Sequence, residues 1–236
     1  MNFSIKKYIP NTITCMNLVS GCIACVMAFR FQYEYAIFFV VLGAVFDFFD
    51  GMSARLLKSY SPMGKELDSL ADDISFGAAP AFIVFSLFQE VQYPAFLMGL
   101  KEYIPYTAFL IAAFSALRLA KFNIDERQTS SFIGLPTPAN ALFWSSLAVG
   151  AHSFLTSSCF NAVYLFIMVI ISSLLLVAEI PMFALKFKNL TWKENKIRFL
   201  FLISALVFLL VLKVSGLAAI IVWYIILSLL TQKKKG

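Results

Sequence analysis

Eight apolar runs, separated by short polar or breaker-rich stretches, leave this chain few choices of fold. They span about Ile9–Phe29, Tyr35–Leu57, Glu66–Phe88, Ile104–Phe122, Pro138–Phe154, Ala162–Leu185, Ile197–Lys213 and Leu217–Leu230. Runs of that length suit helices crossing a hydrocarbon layer about 30 Å thick, where only helices and closed barrels satisfy their own backbone hydrogen bonds. Charged residues make up only 14% of the chain, against about 25% in soluble domains. The pattern predicts an all-α, polytopic membrane helix bundle of about eight transmembrane helices. It reads as one domain over residues 1–236, with residues 1–8 as an interfacial lead-in. The breakers of Ser59–Gly64 and the prolines of FIGLPTPAN mark helix boundaries.

The basic residues give the orientation. With both termini on the cytoplasmic side, all but three of the 19 Lys and Arg residues (Arg30, Lys101 and Lys213 excepted) face the cytoplasm, as the positive-inside bias demands. The net charge of +6 therefore reads as a topology signal, not as a nucleic-acid surface. The terminal Lys233–Lys235 is an anchor with some attraction to anionic lipid. Cys22 and Cys25 are spaced as a CxxC but lie within a membrane run, where small buried residues are expected rather than redox or metal ligands. Val19-Ser20-Gly21-Cys22 resembles a lipoprotein cleavage box, yet Pro10, Asn11, Thr14 and Asn17 are too polar for a signal core. Those same groups could line a cavity.

Asp47 and Asp50 stand three residues apart in the second run, and Asp68 and Asp72 four apart in the third. On helices each pair shares a face. A lone Asp near the middle of a membrane helix costs about 2.5–3.5 kcal/mol, so four together need counter-charge. Hard divalent cations such as Mg²⁺ or Mn²⁺ suit a carboxylate cluster. Gly51, Ala54 and Gly64 alternate with the acids, leaving room for a ligand to approach the backbone. Space beside negative charge fits cations held against a pyrophosphate, with a carboxylate taking a proton from a nucleophile. A metal-ion transporter would instead spread acids through the membrane depth. Asp73 lies about 100° round the helix from Asp72 and is expected to pair with a basic residue or shape the cavity. Glu179 is expected to pair with a loop lysine. His152, the only histidine, falls at the opposite end of the bundle.

The pattern DxxDGxxAR, eight residues, then GxxxDxxxD is filled here by Asp47, Asp50, Gly51, Ala54, Arg55, Gly64, Asp68 and Asp72. It resembles the signature of the CDP-alcohol phosphatidyltransferases. The resemblance implies a six-helix core plus two further helices and a homodimer. It also implies two divalent ions, Mg²⁺ or Mn²⁺, on Asp47, Asp50 and Asp68. Asp72 would be the catalytic base and also touch a metal. CDP-diacylglycerol would lie along Asn11, Thr14, Gly51, Ala54, Arg55 and Gly64, with Arg55 either binding phosphate or bracing the carboxylates.

Four further stretches, PNTITCMNLVSG, SFGAAPA, ALRLAKFN and FIGLPTPANA, look like the bacterial phosphatidylserine synthases of that family. They imply L-serine as acceptor, phosphatidylserine and CMP as products, and a bacterial inner-membrane protein with its site facing the cytoplasm. Arg118, Lys121 and Asn123 are then candidates for the serine. Lys121 stands where Arg is usual, and Asp73 where an apolar residue is usual. Other acceptors with the same chemistry are glycerol 3-phosphate, inositol phosphate and choline.

Overall fold

The computed structural model describes residues 8–125, 132–183 and 191–232. The lead-in with Lys6 and Lys7, and Arg127, Lys186, Lys188 and Lys233–Lys235, lie outside the described residues.

The chain is an all-α polytopic membrane bundle. Its elements run α1 (Tyr8–Phe29), α2 (Tyr33–Leu56), α3 (Pro62–Asp72), a π-helical segment (Asp73–Ala78) and α4 (Ala79–Glu90). Two 3₁₀ segments (Ala95–Leu100 and Ile104–Phe109) lead to α5 (Leu110–Ile124). Then come β1 (Phe132–Ile133), α6 (Thr137–Gly150), α7 (His152–Leu155), α8 (Ala162–Val177), β2 (Pro181–Met182), α9 (Trp192–Leu212) and α10 (Ser215–Gln232). Among the described residues, five helical stretches are long and apolar enough to cross a membrane: Tyr8–Phe29, Tyr33–Leu56, Pro62–Glu90, Ile104–Ile124 and Asn195–Leu212. Ala162–Val177 and Ser215–Leu230 are shorter apolar helices. Each of the eight sequence runs thus falls on a helix, but two of these helices, α6 and α8, are shorter than expected.

The short ones have local causes. The fifth run, expected from Pro138 to Phe154, breaks at Ala151, which leaves helical geometry at φ −116°, ψ 15°. Gly150 just before it packs so closely on α10 that a β-carbon there would lie 2.4 Å from the Ser215 backbone nitrogen. The sixth run, expected to reach Leu185, stops at Val177. Pro181 cannot extend a helix and biases Ile180 toward extended geometry. The chain there pairs with β1 instead, Phe132 opposite Met182 and Ile133 opposite Pro181, antiparallel.

The third run begins earlier than Glu66. Ser61 caps α3, its Oγ accepting the Gly64 backbone N–H at 3.0 Å, and Pro62 occupies the first helical turn. This is a standard start, with an oxygen for an orphan donor and a proline whose missing N–H is not needed.

α1 and α2 form a tight hairpin through Arg30–Gln32, with Phe31 at φ 59°. Small buried residues at Gly21, Ala24, Ala28, Ala36 and Gly43 let these helices approach closely, as membrane helices do without an aqueous driving force. The main core gathers Phe88, Ile111, Trp144, Leu165 and their neighbours from α4, α5, α6 and α8. There the Trp144 indole donates to Ser172 Oγ at 3.2 Å.

The π-helical segment is the departure that positions the site. It wedges against α1, where the Ser75 hydroxyl donates to the Asn17 carbonyl at 3.0 Å. A β-carbon on Gly21 would come within 2.7 Å of the Ser75 α-carbon, so only glycine fits that contact. Such single-turn widenings re-aim side chains and concentrate at functional sites.

Candidate active site

α2 and α3 meet with their acidic faces together. Asp47, Asp50 and Asp68 each place one carboxylate oxygen within 4.8 Å of the others. At that distance two like charges repel by roughly 3 kcal/mol at an effective dielectric of about 20. Among the described residues none of these carboxylates forms a salt bridge. Asp50 is only 5% exposed, and Asp50 Oδ2 and Asp68 Oδ1 are buried without a hydrogen-bond partner. Buried, unpaired anionic oxygens in a group are what a hard divalent cation neutralises. The donor set therefore fits Mg²⁺ or Mn²⁺, and these three residues could hold it.

Asp72 stands apart from the expected set of four. It lies near enough to Asp47, Asp68 and Asp50 to be influenced by their charges, but outside the cluster of three oxygens. Its Oδ1 instead accepts the side-chain N–H of Asn17 at 3.1 Å. Asn17 is fully buried, with its own Oδ1 turned toward Gly43, where a β-carbon would approach to 2.9 Å. Asn17 was visible in the sequence only as one of several polar groups on the first helix. Its partner lies 55 residues away, and no local spacing reveals that.

A cavity of about 540 Å³ adjoins the acids, with Asp50 and Asp68 in its wall. Its other walls include Asn11, Thr14, Gly51, Ala54 and Gly64, so five of the six residues expected along a nucleotide surround one space. That volume suits a small molecule of nucleotide size. Gly51 and Gly64 serve it differently. A β-carbon at Gly51 would meet only the Arg55 guanidinium, at 3.6 Å, whereas at Gly64 it would press on Asn11 Oδ1 and Ser61 Oγ, both at 3.1 Å. Arg55, the sixth, is exposed and is not in the wall. Its Nε donates back to the Gly51 carbonyl at 3.0 Å.

The three residues expected at the serine separate. Arg118 is buried, 7% exposed, its Nε has no hydrogen-bond partner, and its guanidinium lies 5.7 Å from the Phe122 ring centre. It is within electrostatic reach of Asp72 and of Tyr224. Lys121 is already engaged, in an ion pair with Glu179; the loop lysines Lys186 and Lys188, expected as partners of Glu179, lie outside the described residues. Asn123 is engaged too, its Nδ2 donating to Ser69 Oγ at 2.8 Å and its carbonyl accepting Lys65 Nζ at 3.0 Å. These contacts tie the end of α5 to α3. Asp73 meets no basic residue through Oδ1, which is buried without a partner and faces Gly77 and Ser115. The wider π turn aims it there. His152 lies at the far end of the bundle, its Nε2 3.3 Å from Glu90, which also accepts the Tyr33 hydroxyl.

Residues 7–176 match the CDP-alcohol phosphatidyltransferase family. The chain is similar to the CDP-diacylglycerol–serine O-phosphatidyltransferase of Bacillus subtilis, 37% identical over 132 residues, which covers 56% of this chain and 70% of the relative. A protein of the same description from Methanocaldococcus jannaschii is 33% identical over 180 residues, covering 75% and 76%. One from Saccharomyces cerevisiae is 35% identical over 155 residues, covering 58% and 52%. With the family's match running through both acidic helices and the cavity walls, the chain belongs to the CDP-alcohol phosphatidyltransferases.

Proposed function

We propose that this protein transfers the phosphatidyl group of CDP-diacylglycerol to the hydroxyl of L-serine, giving phosphatidylserine and CMP. The observation that carries the reading is the cluster of Asp47, Asp50 and Asp68, two of which, Asp50 and Asp68, stand in the wall of a nucleotide-sized cavity. Support for serine comes from the relatives, each described as a CDP-diacylglycerol–serine O-phosphatidyltransferase, and from the buried Arg118 within electrostatic reach of Asp72.

The residues divide the work as follows. Two divalent ions held on Asp47, Asp50 and Asp68 would supply charge neutralisation at the pyrophosphate. Asn11, Thr14, Gly51, Ala54 and Gly64 line the space for the CDP group. Asp72 takes the proton from the serine hydroxyl, with Asn17 holding one of its oxygens so that the carboxylate meets the hydroxyl in a fixed orientation. The serine oxygen then bonds to the phosphorus that carries the diacylglycerol. The bond from that phosphorus to the oxygen of CMP breaks, and CMP leaves with the electron pair. Arg118 offers its unpaired guanidinium face to the serine carboxylate. The positive-inside bias supports a site facing the cytoplasm of a bacterial cell with both termini inside, and the family resemblance supports a homodimer.

The test is a panel of alcohols given to the purified protein with CDP-diacylglycerol and Mn²⁺ or Mg²⁺. CMP release that depends on serine is the expected result. Release with glycerol 3-phosphate, inositol phosphate or choline instead would reassign the acceptor, and no release with any of them would sink the reading.

A further inference from the structure

A second cavity, of about 240 Å³, lies between α6, α8 and α10. Asn140, Phe143, Met168, Ile171, Val222 and Ile225 are among its lining residues. Ile171 is 52% exposed and Val222 45% exposed, and in a membrane bundle such apolar surface faces lipid. The cavity therefore opens sideways into the bilayer between α8 and α10.

One polar group breaks its apolar wall. Asn140 is fully buried, and both its amide nitrogen and its amide oxygen lack a hydrogen-bond partner. Ser172, the other polar residue of the lining, is satisfied: it receives the Trp144 N–H and donates to the Val169 carbonyl at 3.1 Å. An unpaired amide donor in an apolar setting calls for an acceptor, and that acceptor must arrive on something apolar.

Its depth narrows the choice. Asn140 lies three residues inside Thr137, the first residue of α6, about 4.5 Å along the axis. That end of α6 is joined to the end of α8 by Leu135 N–H donating to the Leu175 carbonyl at 2.9 Å, and the end of α8 to the end of α5 by Lys121 and Glu179. Arg118 sits on the last turns of α5, within reach of both Asp72 and Tyr224 of α10. Ile221 and Ile225, on either side of Tyr224 in the sequence, line the cavity. The cavity thus sets one unpaired amide, near the helix ends, against a hydrocarbon wall, which matches the ester carbonyl and acyl chain of a glycerolipid.

We propose that this cavity holds one acyl chain of the diacylglycerol substrate, with Asn140 Nδ2 donating to the ester carbonyl of that chain. The inference rests on CDP-diacylglycerol being the substrate, and it adds a site for the lipid half, which the acidic motif leaves open. Asn140 is then a binding and positioning residue, remote from the bonds that change.

Two measurements on the full chain in nanodiscs test it. In the first, CDP-diacylglycerol carrying a diazirine in one acyl chain is photolysed and the labelled peptides are sequenced. Label on α8 and α10 around Ile171 and Ile225, displaced by unlabelled CDP-diacylglycerol, is expected in the parent and in Asp72→Asn. Label elsewhere, or label displaced equally by plain phospholipid, overturns the proposal. In the second, ester-linked and ether-linked CDP-lipids are compared. The parent is expected to prefer the ester, and Asn140→Leu to lose that preference while still being stabilised by Mn²⁺; an unchanged preference overturns the assignment of Asn140. Ile225→Trp should raise KM for a dioleoyl substrate about tenfold more than for a dibutanoyl one, the loss of roughly two buried methylenes; an equal change for both overturns the cavity. Should the parent release no CMP with any alcohol, the activity reading falls, while the crosslink map still decides what the cavity holds.

Discussion

Asn17 donates its side-chain N–H to Oδ1 of Asp72 at 3.1 Å, and this one bond joins α1 to the helix that carries half of the acidic motif. It fixes the rotation of the Asp72 carboxylate. Its own backbone carbonyl is held in turn by Ser75 at the π-helical turn. If Asp72 is the base, its orientation is part of catalysis, since misplacement by about 1 Å can lower a rate about 100-fold. Asn17→Ala is expected to lower kcat roughly 10- to 100-fold with little change in KM for CDP-diacylglycerol. Steady-state kinetics check this. A variant with parental kcat but a lowered melting temperature would reduce Asn17 to a structural role.

Asp72→Asn removes the proton acceptor while keeping the shape and the Asn17 contact within reach. Loss of a general base lowers rates by about 10²–10⁴-fold. The variant is expected to lose CMP release to that extent yet still bind CDP-diacylglycerol, as read by thermal shift. Activity above a tenth of the parent's would exclude Asp72 as the base.

The three clustered carboxylates repel one another when no cation is present. Asp68→Asn removes one charge, so in the presence of a chelator the variant should melt at a higher temperature than the parent. With Mn²⁺ the order should reverse, because a ligand that binds only the folded state stabilises in proportion to its affinity, and the variant has lost a donor. Melting curves with and without Mn²⁺ report both signs. A variant less stable than the parent under both conditions would mean that Asp68 supports packing and not an ion. Chelation should abolish CMP release by the parent, and added Mn²⁺ or Mg²⁺ should restore it.

What could be read from the chain, and what could not, follows from range. Apolar runs are properties of a few consecutive residues, and they located the helices. The faces carrying Asp47 with Asp50 and Asp68 with Asp72 follow from helical spacing alone, so the cluster was legible before any coordinates. The failures are contacts between distant segments. Nothing near Gly150 announces that α10 will press on it and end α6. The π turn after Asp72 is held to α1 by Ser75, 58 residues from its partner Asn17. Lys121 looked free as a serine partner because Glu179 is 58 residues away. Asp72 lies outside the cluster of three oxygens and meets Asn17 instead, a contact across 55 residues that no periodicity discloses.

The residues proposed for the serine then separate by experiment. Arg118 is buried with an unpaired Nε, while the Lys121–Glu179 pair is partly exposed, at 36% and 58%. Hydrogen bonds to a charged group contribute about 1.5–3 kcal/mol, whereas an exposed ion pair contributes about 0–1 kcal/mol. Arg118→Lys keeps the charge and loses the planar fork. It should raise KM for serine about tenfold or more. Lys121→Ala should raise it less than about threefold. The reverse ranking would move the serine site to the end of α5.

Two glycines should separate packing from ligand space. Gly21 faces Ser75 so closely that a β-carbon would sit 2.4 Å from its Oγ and 2.7 Å from its α-carbon. Backbone cannot yield as a side chain can, so Gly21→Ala must push α1 off the π-helical turn, an overpacking that costs about 1–3 kcal/mol and draws Asn17 away from Asp72. Gly51 meets nothing nearer than the flexible Arg55 guanidinium at 3.6 Å, and it lines the larger cavity. Gly51→Ala should therefore fold as stably as the parent, or slightly better because alanine favours helix over glycine by roughly 1 kcal/mol. Its defect should appear as a raised KM for CDP-diacylglycerol, since the added methyl occupies space assigned to the nucleotide. Melting temperature and KM measured on both variants give opposite patterns, stability lost in one and affinity lost in the other. A Gly51→Ala protein with unchanged KM would show that the nucleotide does not approach that wall.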